Sequence, residues 1–393
     1  MSGVSTIGRG SIEGFEAIVD AYSFATTPLE RVSRWLDDSP YDQLVLTGTE
    51  WVRWITGYSS YGGGPSALVL RSDEAPVVLL SGPELKGFLE TPGAQRFEHH
   101  GYSDVGFGLL ANPVASMAIA YGAALSDPHA KAAHVASEWL EAADRAHSEI
   151  VDVSESIGSI RMVKSVGEVE EIARRVQLCW VAQAAIARAV ERGASEIELF
   201  SLARSSMEER WGSPIEMVAD VVGGPACAGI GAPVSVPGRR VVEASDALIA
   251  DIAIVASGYC ADITWTHLRG ANPELEDLRD RLIDVRSAIV RGLVPGRACA
   301  DVYREMSELV RAAAPGHTFT HHGGHGIGLA FYEAPFITPW DDTQLREGMT
   351  LAIEPGAYGG GRGVRVENNY LVTADGGVEI PGRPSDMGQR SHD

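Results

Sequence analysis

The sequence predicts an α/β (α+β) protein. A smaller N-terminal α/β domain is expected over residues 1–158, a larger domain over 159–382 and a disordered tail over 383–393. Three observations lead there. At 393 residues the chain is long for one domain. Its first part carries short apolar runs punctuated by Gly, Ser and Asp, as the strands of a sheet do. Beyond Ile160 the order helix, helix, hairpin occurs twice, an internal repeat of structure without obvious identity of sequence.

The elements follow in order. Residues 1 to about 25 read as a loose arm. Thr27-Pro28-Leu29-Glu30 opens a helix: Thr27 caps, Pro28 takes the first helical position and Glu30 reaches back. Gln43–Leu46, Ala67–Leu70 and Val77–Leu80 are strands, and a helical stretch around Ala132–His147 completes the first domain. His99 and His100 are adjacent, so on a strand they point opposite ways and serve as surface residues rather than as a metal pair. Val166 to Arg192 is long, amphipathic and free of Pro, which predicts one extended helix. Ser195 with Glu198 is a capping box for a helix running to about Trp211. After a hairpin region, Asn272-Pro273 starts a helix to about Arg291, Pro295-Gly296 breaks it, and another runs to about Ala314. Strands and turns return from Thr318.

Composition narrows the function. The chain has 53 acidic against 32 basic residues, a net charge of −21, and such a surface repels nucleic acid and anionic lipid. No run of about 18 apolar residues is present, so no membrane span is expected, and no leader peptide is visible. The four cysteines lack CxxC spacing and read as free thiols in a reducing cytoplasm.

The chemistry-bearing residues lie in three stretches: IADIAIVASGYCADIT, HHGGHGIGLAF and LAIEPGAYGGGRGVRVEN. A hairpin turning at Ala256-Ser257 would set Asp251 directly opposite Asp262. A turn at Gly360-Gly361 would do the same for Glu354 and Glu367. Facing acids at a hairpin mouth are commonly solvated, but here both pairs adjoin apolar runs, and buried carboxylates are almost never left unpaired. Four such charges in an interior require cations, and two divalent ions would neutralise them. His325, in a glycine-rich loop with His321 and His322, is the fifth candidate ligand, and one of its neighbours is a candidate substrate contact. One imidazole among four carboxylates suits hard or borderline first-row dications: manganese, cobalt, iron or zinc.

These motifs resemble the pita-bread metallopeptidase family, which includes methionine aminopeptidase, prolidase, aminopeptidase P and the metal-free creatinase. The matching pieces are Asp251, GYCADIT with Asp262, GHGIGL around His325, GMTLAIEPGAY around Glu354 and GVRVEN around Glu367. The resemblance runs from about Arg161 to Gly382, and WVRWITGY at 51–58 resembles the creatinase-like N-terminal domain. It implies a pita-bread fold of pseudo-twofold symmetry, a homodimer, two divalent ions on Asp251, Asp262, His325, Glu354 and Glu367, and hydrolysis of a dipeptide at an Xaa-Pro bond. In that scheme Glu354 also moves a proton while an activated water attacks the amide carbonyl. Tyr332 and His321 join it as catalytic candidates. Arg365 and Thr264 support the ligands from outside, and Trp265 and His322 contact substrate.

The chain departs from the family's peptidases at the substrate side. The histidine expected seven positions after His325 is Tyr332, the one expected some way before Asp251 is missing from Gly231-Ala232-Pro233-Val234, and Trp265 replaces a common arginine. His267 and His321 are the histidines available to compensate. Two further functions therefore stand beside the peptidase: a relative that uses the same cup for a small non-peptide amine or amide, as hydrolase or lyase, and a non-catalytic binding protein.

Overall fold

The computed structural model describes residues 12, 14–59, 66–102, 132–135, 150–229 and 236–382. The segment Gly231–Val234 and the tail from residue 383 lie outside the described residues. The chain divides into two compact units: residues 26–161, and a second in which residues up to 25 join those from 162 onward.

In the first unit the helix Pro28–Asp37 starts on the expected capping box. Thr27 Oγ1 accepts the Glu30 N–H at 3.3 Å, and the Glu30 carboxylate accepts the Thr27 N–H at 2.7 Å. A six-stranded mixed sheet follows, built from β1 (Gln43–Thr47), β2 (Ala67–Arg71), β3 (Val77–Ser81), β4 (Glu98–Tyr102), β5 (Ala132–Val135) and β6 (Ile150–Asp152), in the order β4-β3-β2-β1-β5-β6. Leu44, Leu46, Leu68 and Leu80 are buried on one face, and Val45, Val69 and Leu79 on the other. This is why these strands read as unbroken apolar runs. His99 and His100 sit exposed on β4. The helix expected around Ala132–His147 is corrected at its start. Ala132–Val135 is a strand, parallel to β1 in the register Gln43↔Ala132 to Leu46↔Val135. There pairing with β1 on one side and β6 on the other outweighs the helix propensity of an Ala-rich segment. Residues 136–149 lie outside the described residues.

The second unit corrects the loose arm. Phe15–Ala21 is a helix whose Ile18 is fully buried in the main core, and Tyr22 Oη donates to the Lys164 carbonyl at 2.5 Å. The helix Val166–Val190 begins on a Ser165–Glu168 capping box, and Glu196–Trp211 on the expected Ser195–Glu198 box. β7 (Glu216–Gly223), β8 (Ala247–Ala256) and β9 (Tyr259–Leu268) form an antiparallel sheet. The Val166–Val190 helix covers one face of it, where the Gln183 amide donates to the Ala250 and Ile263 carbonyls at 2.9 and 3.0 Å.

The order then recurs. Helices Pro273–Arg291 and Cys299–Ala313 lead into β10 (Gly324–Gly326), β11 (Glu333–Ile337), β12 (Thr350–Ile353), β13 (Gly356–Gly359), β14 (Arg362–Arg365), β15 (Asn368–Thr373) and β16 (Gly376–Glu379). Five of these strands make the sheet β11-β10-β12-β15-β16, and β13-β14 is a separate hairpin. All four cysteines are free and buried. Among the described residues no helix is long and apolar enough to cross a membrane.

Candidate metal centre

The two hairpins bring the acids together, one with a shifted register. β8 and β9 turn at Ser257-Gly258, both with positive φ (44° and 94°), so Ala256 pairs with Tyr259. Asp251 therefore lies opposite Thr264, and Asp262 opposite Ala253, rather than the two acids facing each other. The slip is two residues, which preserves the face, so both carboxylates still point the same way. In the second pair the turn is at Gly360-Gly361 as expected. Gly356 pairs with Arg365 and Ile353 with Asn368, which leaves Glu354 across from Glu367 between the two ladders.

Asp262, His325 and Glu367 are all buried, and one ligand atom from each lies within 4.8 Å of the others. His325 Nδ1 is 2.9 Å from the Gly326 carbonyl, so it carries the proton and donates. The lone pair is then on Nε2, 3.7 Å from Asp262 Oδ2. Thr264 Oγ1 donates to Glu367 Oε2 at 2.6 Å, and the Glu367 N–H donates to the Thr264 carbonyl at 2.9 Å. Asp262 Oδ1 and Glu367 Oε1 are buried without a hydrogen-bond partner. Two orphaned carboxylate oxygens beside an inward imidazole lone pair are what a divalent cation would complete, so the donor set fits a metal. Without one, burial and then the neighbouring carboxylates push the carboxyls of Asp262 and Glu367 well above their usual range.

Glu354 sits with a second group of ligand atoms from His321 and His322. Its Oε1 is 2.9 Å from His322 Nδ1, and its Oε2 is 3.5 Å from both His321 Nδ1 and Arg365 Nη1. Burial opposes its ionisation, but His322, His321 and Arg365 together outweigh that and hold the carboxyl below its usual range. His321 Nδ1 is 2.7 Å from the His322 carbonyl, and its Nε2 is 2.8 Å from Tyr358 Oη. With both nitrogens engaged, and burial pulling its pKa to about 4, His321 is a neutral, fixed ring. His322 keeps a partly exposed side chain.

The remaining expected residues fall on two sides. Tyr332 is 57% exposed, with its ring 4.4 Å from that of His325 at a steep angle. Burial of part of the ring and the four carboxylates raise its phenol above its ordinary value, so it is a donor and not a base. Arg365 reaches Asp251 Oδ2 at 3.1 Å. Trp265 is corrected: it lies on the other face of β9 from Asp262 and Thr264, buried against Trp180 with ring centroids 6.0 Å apart. His267 shares that face, buried with its Nε2 2.8 Å from Gln183 Oε1. Neither side chain can line the cup.

Three residues that support the site were not found from the sequence. Asn369 exchanges two hydrogen bonds with the Asp262 backbone, at 3.2 and 2.8 Å. Asp220 pairs with Arg365 at 3.3 Å. Tyr358 holds His321, and its place in EPGAY is the signal that could have found it.

A buried set of hard donors on two pseudo-equivalent hairpins defines a metal-binding protein. More narrowly, the model of metallopeptidase family M24 matches residues 170–374, and the chain belongs to that family. The chain is 25% identical over 370 residues to a Bacillus subtilis (strain 168) protein named "Putative dipeptidase YkvY", covering 91% of this chain and 98% of that one. Two solved structures share the fold. A prolidase from Pyrococcus horikoshii OT3 has a TM-score of 0.76 at 20% identity, covering 92% of this chain and 99% of that one. An Xaa-Pro dipeptidase from Bacillus anthracis has a TM-score of 0.76 at 22% identity, covering 91% and 97%. The second unit thus has the expected pita-bread fold.

Proposed function

We propose that the chain is a dinuclear metal-dependent hydrolase of small amides, with Xaa-Pro dipeptides as its substrate class. The observation that carries this is the pair of unpartnered buried oxygens, Asp262 Oδ1 and Glu367 Oε1, beside the His325 Nε2 lone pair. Asp251, Asp262, His325, Glu354 and Glu367 would hold two divalent ions, manganese, cobalt, iron or zinc, which supply a Lewis acid for the carbonyl and an activated water. Glu354, held ionised by its neighbours, accepts a proton at its carboxylate. His322 is partly exposed, and its Nδ1 lies 2.9 Å from Glu354 Oε1 but outside hydrogen-bond geometry, so a turn of its ring would be needed for it to pass that proton towards a leaving amine. Neutral His321 is tied to the His322 carbonyl and to Tyr358 and walls the site beside Glu354. Tyr332, protonated over the His325 ring, donates to the carbonyl oxygen as it gains charge. A homodimer in the cytoplasm belongs to the same reading.

One observation favours a second reading. Tyr332 stands where peptidases of the family carry a histidine, and a raised phenol is a poor proton shuttle near neutral pH. On that reading the same metal cup serves a small non-peptide amine or amide. Elemental analysis after loading with each metal, followed by assay on Ala-Pro and Gly-Pro, separates the outcomes. About two ions per chain with dipeptide hydrolysis supports the first reading. The same metal content with the dipeptides left intact supports the second. No metal uptake removes both.

A further inference from the structure

We propose that Asp220 is the counter-ion of Arg365 and, through it, a positioning residue that sets how tightly the centre holds its metals. The inference rests on the metal-centre reading above and extends it to a residue outside the ligand set.

Asp220 lies on β7 directly opposite Asp251 on β8, so the two side chains share a face. Facing carboxylates repel unless a cation stands between them, and here the cation is Arg365. Its Nη2 is 3.3 Å from Asp220 Oδ2 and 3.1 Å from Asp251 Oδ2, while Nη1 is 3.5 Å from Glu354 Oε2. Asp220 is 7% exposed and Arg365 6%, so solvent screens these contacts little. The arginine is also fixed at its backbone. Its N–H donates to Thr266 Oγ1 at 3.0 Å, and Thr266 Oγ1 donates to its carbonyl at 2.7 Å. The guanidinium is therefore a permanent positive charge beside two of the five candidate ligands.

That charge competes with metal. Asp251 and Glu354 each turn one oxygen, Oδ2 and Oε2, to the guanidinium, so it draws on the carboxylates that the ions would share, and a cation without its own counter-ion there would repel them. Asp220 removes the conflict. With it, five carboxylates balance one guanidinium and two dications; without it, the loaded centre carries an excess positive charge in a buried site. Asp220 also gives Arg365 a partner once Asp251 and Glu354 are engaged elsewhere.

The test is calorimetric titration of metal-free protein with Mn²⁺, on the wild type, Asp220→Asn, Arg365→Met and the double variant. The wild type is expected to take up metal and Asp220→Asn to bind it about 10–100-fold more weakly, the usual cost of losing a group that orients ligands. In the Arg365→Met background the same substitution is expected to cause no loss. Wild-type affinity in Asp220→Asn, or an equal loss in both backgrounds, overturns the proposal. A wild type that takes up no Mn²⁺ removes the metal-centre reading and this inference with it. Should Asp220→Asn not fold, the Mn²⁺-loaded wild-type crystal structure decides. Arg365 within hydrogen-bond reach of Asp220 supports the role, and Arg365 turned away from it refutes the role.

Discussion

Asn369→Leu tests how the centre is held to the rest of the fold. Asn369 is fully buried, and its amide meets the outward edge of β9: its Oδ1 accepts the Asp262 N–H at 3.2 Å, and its Nδ2 donates to the Asp262 carbonyl at 2.8 Å. Leucine keeps the approximate volume and removes both partners. Two backbone groups of Asp262 are then left dry, at about 1–3 kcal/mol each. The apolar gain of leucine offsets about 1 kcal/mol of that. A net loss of about 1–5 kcal/mol follows, or roughly 2–20 °C in Tm for a unit of this size. Urea denaturation of metal-free protein, followed by circular dichroism and by tryptophan fluorescence, measures the loss. Because Asp262 shifts with its backbone, Mn²⁺ affinity is expected to fall about 10-fold or more in the same variant. A change below about 0.5 kcal/mol, the range of ordinary surface substitutions, would refute the reasoning. It would mean that the Asp262 backbone finds other partners at no cost.

Three further outcomes are expected. Lys164 Nζ and Glu333 Oε1 form a buried ion pair at 2.6 Å, so Glu333→Gln strands an uncompensated ammonium and costs about 3–5 kcal/mol in urea denaturation, whereas replacing both by apolar residues costs much less. The carboxyls of Asp262 and Glu367 are raised in the metal-free fold, so their contribution is full below the ordinary carboxylate pKa and is lost as pH rises through the raised values. Metal binds the deprotonated forms, so the Tm difference between metal-loaded and EDTA-treated protein should widen from pH 5 to pH 8, and a constant difference would contradict the shifts. Trp265→Phe should lower stability by about 1–2 kcal/mol through lost packing on Trp180, while Mn²⁺ affinity stays at the wild-type value; a loss of affinity would return Trp265 to the cup.

What could be read from the sequence was local. Capping boxes at Thr27 and Ser195, and the Gly360-Gly361 turn, are short-range signals whose geometry follows from the residues themselves. The first hairpin was misplaced because Ser257 adopts a positive φ that its side chain does not advertise, and Gly258 was the better marker. Trp265 could have been excluded without a structure, since a strand that sends Thr264 inward sends its neighbour outward. Asp220 and Asn369 were hidden for another reason. Their partners are 145 and 107 residues away, and no pattern within a window connects them.

The ribbon that presents His325 has almost no room beside it. A methyl group on Gly324 would come within 2.0 Å of the Ala352 carbonyl oxygen, and one on Gly326 within 2.4 Å of the Ala334 oxygen. The imidazole is thus carried by bare backbone wedged between two neighbouring strands, and the floor of the cup cannot be altered one side chain at a time. Retooling for a new substrate is left to the rim, where Tyr332 is exposed and His322 partly so.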